Sequence, residues 1–385
     1  MSQVKQFRHQ AYTATRPTSP LHLLKPRKCP AVESDDFHRR MRQTGDALRQ
    51  SDVAVIYLVH GTFVGSDALG ILAELARVFP SAGRAVRRVI KQVIDKLAGE
   101  VGNYTTDYAQ CFEAAINRSG EAHIPVRLFH WSSENHHIGR ADGAVRLVNE
   151  LAGLDIEPGR RVLLWGHSHA GNVFALMTNL LGENRRSAET FFRAADVYYR
   201  WPLVGLVDIP VWDHVREMLA ARQSPLENTP LDVVTFGTPI RYGWHVDGFA
   251  KLLHFVNHSP AQGLPEYQAP FPPKLDDVMA AADGDYIQQL GIAGTNVMPS
   301  MFAWRAWLAD HRLGRLLQGG SQGQRSLDRF KAGAIVPDEG TTLLVDYGPA
   351  EGSIAQHLAG HAVYTRKQWL LFHAEEVARR FYGAA

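Results

Sequence analysis

Cysteine is scarce in this chain of 385 residues, with only Cys29 and Cys111. They form no CxxC pair, which argues against a zinc site or a disulfide scaffold and fits a reducing compartment. An excess of charge of one sign is also lacking. Lys and Arg number 41 against 39 Asp and Glu, a formal net charge of +2, so composition carries no nucleic-acid footprint. No apolar run is long enough to span a bilayer. The most apolar insertion, residues 201–212, is broken by Pro202, Asp208 and Pro210. Residues 1–30 scatter Lys, Arg, His and Pro without the apolar segment of a secretory signal. The expectation is a soluble, cytoplasmic protein, with export by a route without a cleaved signal left open.

What is present is enough for a large core, since hydrophobic residues make up 45% of the chain. Residues 1–50 are polar and carry Pro17, Pro20, Pro26 and Pro30, which reads as an arm or poorly ordered lead-in. Residues 53–59 form a β-branched apolar run ending in His60-Gly61-Thr62-Phe63, a buried strand followed by a glycine turn. Two helical patterns follow, over about 67–79 and 86–97. The second sets an apolar stripe beside Arg87, Arg88 and Lys91, so peripheral membrane contact is one reading and a solvated face the other. Further strands are expected over 125–131, 161–165, 231–236, 252–257 and 341–345. Helices are expected over 141–151, 172–181 and 367–382. Strands alternating with helices predict an α/β protein with a mostly parallel sheet covered on both faces. Two long insertions, about 183–227 and 259–339, interrupt a main domain of residues 51–385.

The densest signal is Val-Leu-Leu-Trp-Gly-His-Ser-His-Ala-Gly-Asn, residues 162–172. An apolar strand ends at Gly166, Ser168 follows two residues later, and a helical pattern begins after Gly171. A serine on such a strand-to-helix turn projects its hydroxyl above the sheet. Ala170 occupies a position where the motif prefers glycine. A serine hydroxyl needs a base held by a third group. His357 and His361 both precede the last helix, and His361 is favoured by position. No carboxylate directly follows the strand at 252–257, where an acid is expected. Asp276, Asp277, Asp283 and Asp285 come later, and Asp247 earlier; Asp285 is preferred because it opens a fresh apolar segment. Oxyanion donors are expected from the backbone of His169 and of Thr62 or Phe63.

These motifs, with Thr235-Phe236-Gly237-Thr238-Pro239, resemble the α/β-hydrolase superfamily and within it the lipases and carboxylesterases. The resemblance implies Ser168 as nucleophile, His361 as base and a carboxylic ester, small or lipid, as substrate. Neither metal nor organic cofactor is implied. An acyltransferase, thioesterase or amidase with the same triad is the alternative, and a binding protein on a hydrolase scaffold is a third reading. His60 reads as a residue packing its turn. His136, His137, His167 and His169 read as pocket-lining rather than metal ligands, for want of a ligand spacing. Residues 132–136 either contact substrate or cap the next helix. Trp201 and Trp212 fit either a lid or an ordinary helical cap, and so does the region 304–317.

Overall fold

The computed structural model describes residues 7, 17–62, 102–119, 122–201, 205–221, 225–270, 273–293, 296–299, 303–318 and 335–384. Phe63 and the helical patterns at 67–79 and 86–97 lie outside the described residues. Seven strands are described: β1 (Leu21–Leu24), β2 (Val53–Val59), β3 (Val126–Phe129), β4 (Arg161–His167), β5 (Leu231–Phe236), β6 (Lys251–Asn257) and β7 (Thr341–Val345). They make one sheet in the order β1-β7-β6-β5-β4-β2-β3, and every neighbouring pair is parallel. Strands β2, β4, β5 and β6 are buried almost end to end, as parallel strands with helices on both faces must be.

The helices are α1 (Asp35–Gln50), α2 (Thr106–Ile116), α3 (His137–Ala152), α4 (Ala170–Leu181), α5 (Arg185–Ala194), α6 (Asp196–Tyr199), α7 (Pro210–Ala221), α8 (Leu275–Ala280), α9 (Tyr286–Ala293), α10 (Trp304–Gln318), α11 (Ile354–His357) and α12 (Leu370–Tyr382). Alternation along β4 assigns them to faces. Val162 and Leu164 pack with α3, α4, α5, α7 and α10, whereas Leu163 and Trp165 pack with α1, α2 and α12. Among the described residues no helix is long and apolar enough to cross a membrane.

The two insertions share one apolar layer over α3. Trp212 of α7 is fully buried between Phe191 and Tyr199, with ring centroids at 5.9 and 5.2 Å, and its indole N–H donates to Asp142 at 2.8 Å. Leu313 and Leu317 of α10 enter the same cluster. Trp212 is therefore a core residue rather than part of a lid, while Trp201 stands 45% exposed. The sequence reading of residues 1–50 as an arm also needs correction. Residues 21–24 pair in parallel with Thr342–Val345 of β7, and α1 buries Phe37, Met41 and Leu48 against the sheet. Polar composition concealed this, because α1 is apolar on one stripe only and opens on a serine cap: Ser34 accepts from the Phe37 N–H.

The chain runs outward from β2 to β3 and then returns to β4, after which it proceeds the other way through β5, β6 and β7. The winding reverses between β2 and β4, and ligands of open parallel sheets bind outside the strand ends at such a point.

Candidate active site

Ser168 stands at the carboxyl end of β4, immediately before α4, with φ of 56°. A left-handed serine is strained by about 1–2 kcal/mol, and three hydrogen bonds hold it there. Its N–H donates to Phe236 O at 2.8 Å, and its carbonyl accepts from Thr238 Oγ1 at 2.8 Å and from the Gly171 N–H at 3.1 Å. The turn tolerates Ala170 because the tight approach falls one residue later, where a side chain on Gly171 would meet Thr238 at 2.2 Å.

The turn after β2 presses on the serine. A Cβ at Gly61 would lie 2.5 Å from Ser168 Cβ and 3.1 Å from its Oγ. His60 packs this turn as the sequence reading expected: its ring stacks on Trp131 with centroids 6.1 Å apart, and Ser133 Oγ lies 3.1 Å from its Nδ1. Thr62 is buried beside Gly61, and His169 occupies the N-cap of α4, at the positive end of that helix.

His361 Nδ1 lies 2.7 Å from Asp285 Oδ2, and both side chains are wholly buried. The acid that the sequence failed to show directly after β6 reaches that position by a detour. The segment following β6 returns in an antiparallel bridge, His258 with Gly284, and the Asp285 N–H donates to Asn257 O at 2.9 Å. Asp285 then opens α9, its Oδ1 accepting from the Gln288 N–H at 2.9 Å. His361 follows a kink at Ala359 and Gly360, both at positive φ, and opens the second half of the 3₁₀ stretch Leu358–Thr365; the Gly360 carbonyl accepts from Asn257 Nδ2 at 3.0 Å. The His361 ring centroid lies 4.5 Å from that of His167, the residue before Ser168, and His167 Nε2 lies 3.2 Å from His361 O.

The other candidates lie elsewhere. Among the described residues His357 makes no hydrogen bond to Asp285 or to the Ser168 turn; it ends α11. Asp283 accepts from Tyr286 OH at 2.7 Å, Asp276 and Asp277 lie in the first turn of α8, and Asp247 is half-exposed beside His245. Between the two readings of residues 132–136, the structure supplies the cap: His136 Nδ1 accepts from the Gly139 N–H at 2.8 Å at the start of α3. His137 Nδ1 lies 2.8 Å from Tyr242 OH. Arg140, fully buried, donates to Tyr242 OH, Asn135 Oδ1 and Asn296 Oδ1 at 2.9, 2.8 and 2.6 Å, tying three loops together.

Burial sets the electrostatics. His167 and His169 are held well below the ordinary histidine range, chiefly by desolvation, with like charge from His361 second for His167 and from Arg140 for His169. Both flanks of the serine are therefore neutral at pH 7. Among the described residues no three His, Cys, Asp or Glu side chains converge to hold a metal ion. Ser168 is 1% exposed. An open cleft of ≈ 920 Å³, lined by Leu180, Arg185, Phe192, Arg216 and Phe249 among others, lies at the other end of α4.

Two residues in this arrangement escaped the sequence reading. Tyr364 OH donates to Asp285 Oδ2 at 3.0 Å, and the Asn257 N–H donates to Tyr364 OH at 2.7 Å. The one available signal was the His-x-x-Tyr spacing, which sets two side chains on one face when the segment is helical, and most directly in a 3₁₀ turn. Comparison with family models, curated proteins and solved structures finds no match for the chain.

Proposed function

We propose that the protein is a serine hydrolase of the α/β-hydrolase type that cleaves a carboxylic ester through an acyl-serine intermediate. The observation that carries the reading is a strained serine elbow at the reversal point of a parallel sheet, beside a buried His361–Asp285 pair. Ser168 attacks the carbonyl carbon while His361 takes the hydroxyl proton and returns it to the leaving alkoxide. Water then adds to the acyl-serine by the same proton route, releasing the acid. Asp285 orients the imidazole and balances the charge it acquires. Backbone N–H groups of His169 and of Thr62 or Phe63 are the candidates for the developing oxyanion.

Ser168 and His361 are both enclosed, so a substrate reaches them only when covering elements move. An enclosed site fits an acyl or lipid ester better than a polymer. Transfer to an acceptor other than water uses the same groups and is separated by product analysis with an added alcohol. A role in binding without turnover drew its support from the absence of an acid after β6; the Asp285 carboxylate at that strand end weakens it.

The test is covalent labelling by a fluorophosphonate, comparing wild type with Ser168→Ala and His361→Ala. Labelling of wild type alone is expected. Labelling that persists in Ser168→Ala, or absence of labelling in folded wild type, overturns the reading.

A further inference from the structure

Asn257, the last residue of β6, makes three bonds that converge on one carboxylate. Its carbonyl takes the Asp285 N–H at 2.9 Å, its Nδ2 donates to Gly360 O at 3.0 Å, and its N–H donates to Tyr364 OH at 2.7 Å. A phenol that already accepts from a backbone N–H has its lone pair directed there, and its single proton is left for the other neighbour. That neighbour is Asp285 Oδ2, 3.0 Å away, the same oxygen that lies 2.7 Å from His361 Nδ1.

The local fold explains why the two donors coincide. His361 and Tyr364 are three residues apart in a 3₁₀ segment, where side chains at that spacing eclipse. Their rings meet edge to face with centroids 6.1 Å apart. Gly237 completes the enclosure with φ of 57°: a Cβ there would sit 2.4 Å from the Tyr364 ring and 2.6 Å from Asp285 Oδ2. Burial, with the Asp285 charge second, holds the Tyr364 phenol well above its ordinary range, so it is protonated and a donor at neutral pH.

We propose that Tyr364 is a positioning residue for the Asp285–His361 pair, fixing the carboxylate and drawing charge from the oxygen that faces the imidazole. The inference rests on the serine-hydrolase reading for its kinetic consequence, but not for its spectroscopic one. A hydrogen bond to an ionised group shares that charge. Removing the phenol hydroxyl presents more of the Asp285 charge to the imidazole, favours the imidazolium and leaves the carboxylate freer to turn. Strengthening the donor does the reverse.

Two variants test this in opposite directions: Tyr364→Phe, and 3-fluorotyrosine placed at 364 by amber suppression, a more acidic phenol of nearly unchanged shape. In Tyr364→Phe the fluorophosphonate labelling rate is expected to fall about tenfold, the scale of one net hydrogen bond. The pH of half-maximal labelling is expected to rise. With 3-fluorotyrosine that pH falls. In an Asp285→Asn background, Tyr364→Phe adds no further loss. Unchanged pH profiles in both variants, or rate losses that simply multiply, overturn the inference.

The proton resonance of His361 Nδ1–H gives a readout that needs no turnover. It is expected to move downfield in Tyr364→Phe and upfield with 3-fluorotyrosine. A resonance that moves in a protein that never labels sinks the hydrolase reading and keeps the Tyr364 role. A resonance fixed in both variants sinks the Tyr364 role whatever the labelling. Should Tyr364→Phe fail to fold, the fluorotyrosine variant alone decides.

Discussion

The backbone N–H of Asp285 bonds to the carbonyl of Asn257 at 2.9 Å, so a residue far along an insertion occupies the end of the β6 strand. A missing carboxylate in linear sequence is thus restored in space. Asp285→Asn removes the charge facing His361 while keeping most of the geometry. On the serine-hydrolase reading the expected fall in labelling rate is about 10³- to 10⁴-fold, the scale of losing the acid of a serine triad. Asp283→Asn and Asp247→Asn, which touch neither partner, are expected to label at the wild-type rate. Labelling kinetics with melting curves for all three variants check this.

Gly61 and Gly237 are sites where a single methyl group separates activity from folding. Gly61→Ala drives a Cβ to within 2.5 Å of Ser168 Cβ, so the β2 turn or the serine must shift. Losing one aligned oxyanion donor costs about 10²-fold in rate, and a loss of at least that size is expected. Gly237→Ala adds left-handed backbone strain to collisions with Tyr364 and Asp285, and is expected to lower the melting temperature as well. Equal melting curves for wild type and Gly237→Ala would contradict that packing.

Stability is expected to fall as the solution is acidified below about pH 6.5. Burial lowers His258 to about 4 and His373 to about 3. For His258, Asp283 and Asp346 oppose this shift without cancelling it. The unfolded chain then binds more protons than the native one, so the stability these groups contribute is present above their ordinary value and lost as pH falls through the folded one. For His258 the swing is about 3 kcal/mol. Glu339 acts oppositely: burial, aided by Asp338, raises it to about 7, so its contribution is present below its ordinary value and lost as pH rises through 7. Urea midpoints from pH 4 to 8 check the slope, which His258→Gln should flatten on the acid side. Because His258 bridges Gly284, acid also loosens the seat of Asp285.

The parts legible in sequence were those whose signal is local. The β4 run, Gly166, Ser168 and the apolar start of α4 fall within one short window, and strand and helix periodicities change there. Strands β2, β5, β6 and β7 announced themselves as apolar runs because both their faces are covered. β1 did not, since Leu21–Leu24 is a four-residue edge strand with two exposed positions among prolines. The stacking of Trp212 and the bridge from His258 to Gly284 join distant segments, and no periodicity encodes them. The His361–Tyr364 alignment sits in a short turn that starts at the kink of Ala359 and Gly360, too brief for a periodicity to announce it.

The excursion from Asn257 to Asp285 makes this part of the insertion and the carboxylate one covalent piece. In many proteins a surface insertion can be exchanged as a cassette, its ends being mere attachment points. Here the far attachment point is the carboxylate that meets His361, so a chimera cut anywhere between residues 259 and 284 must rebuild the bridge to His258 in register. Slippage of that bridge by one residue would set Gly284 or Tyr286 where Asp285 stands. Lengthening this segment is thus tolerated only where the added residues leave that last bridge untouched.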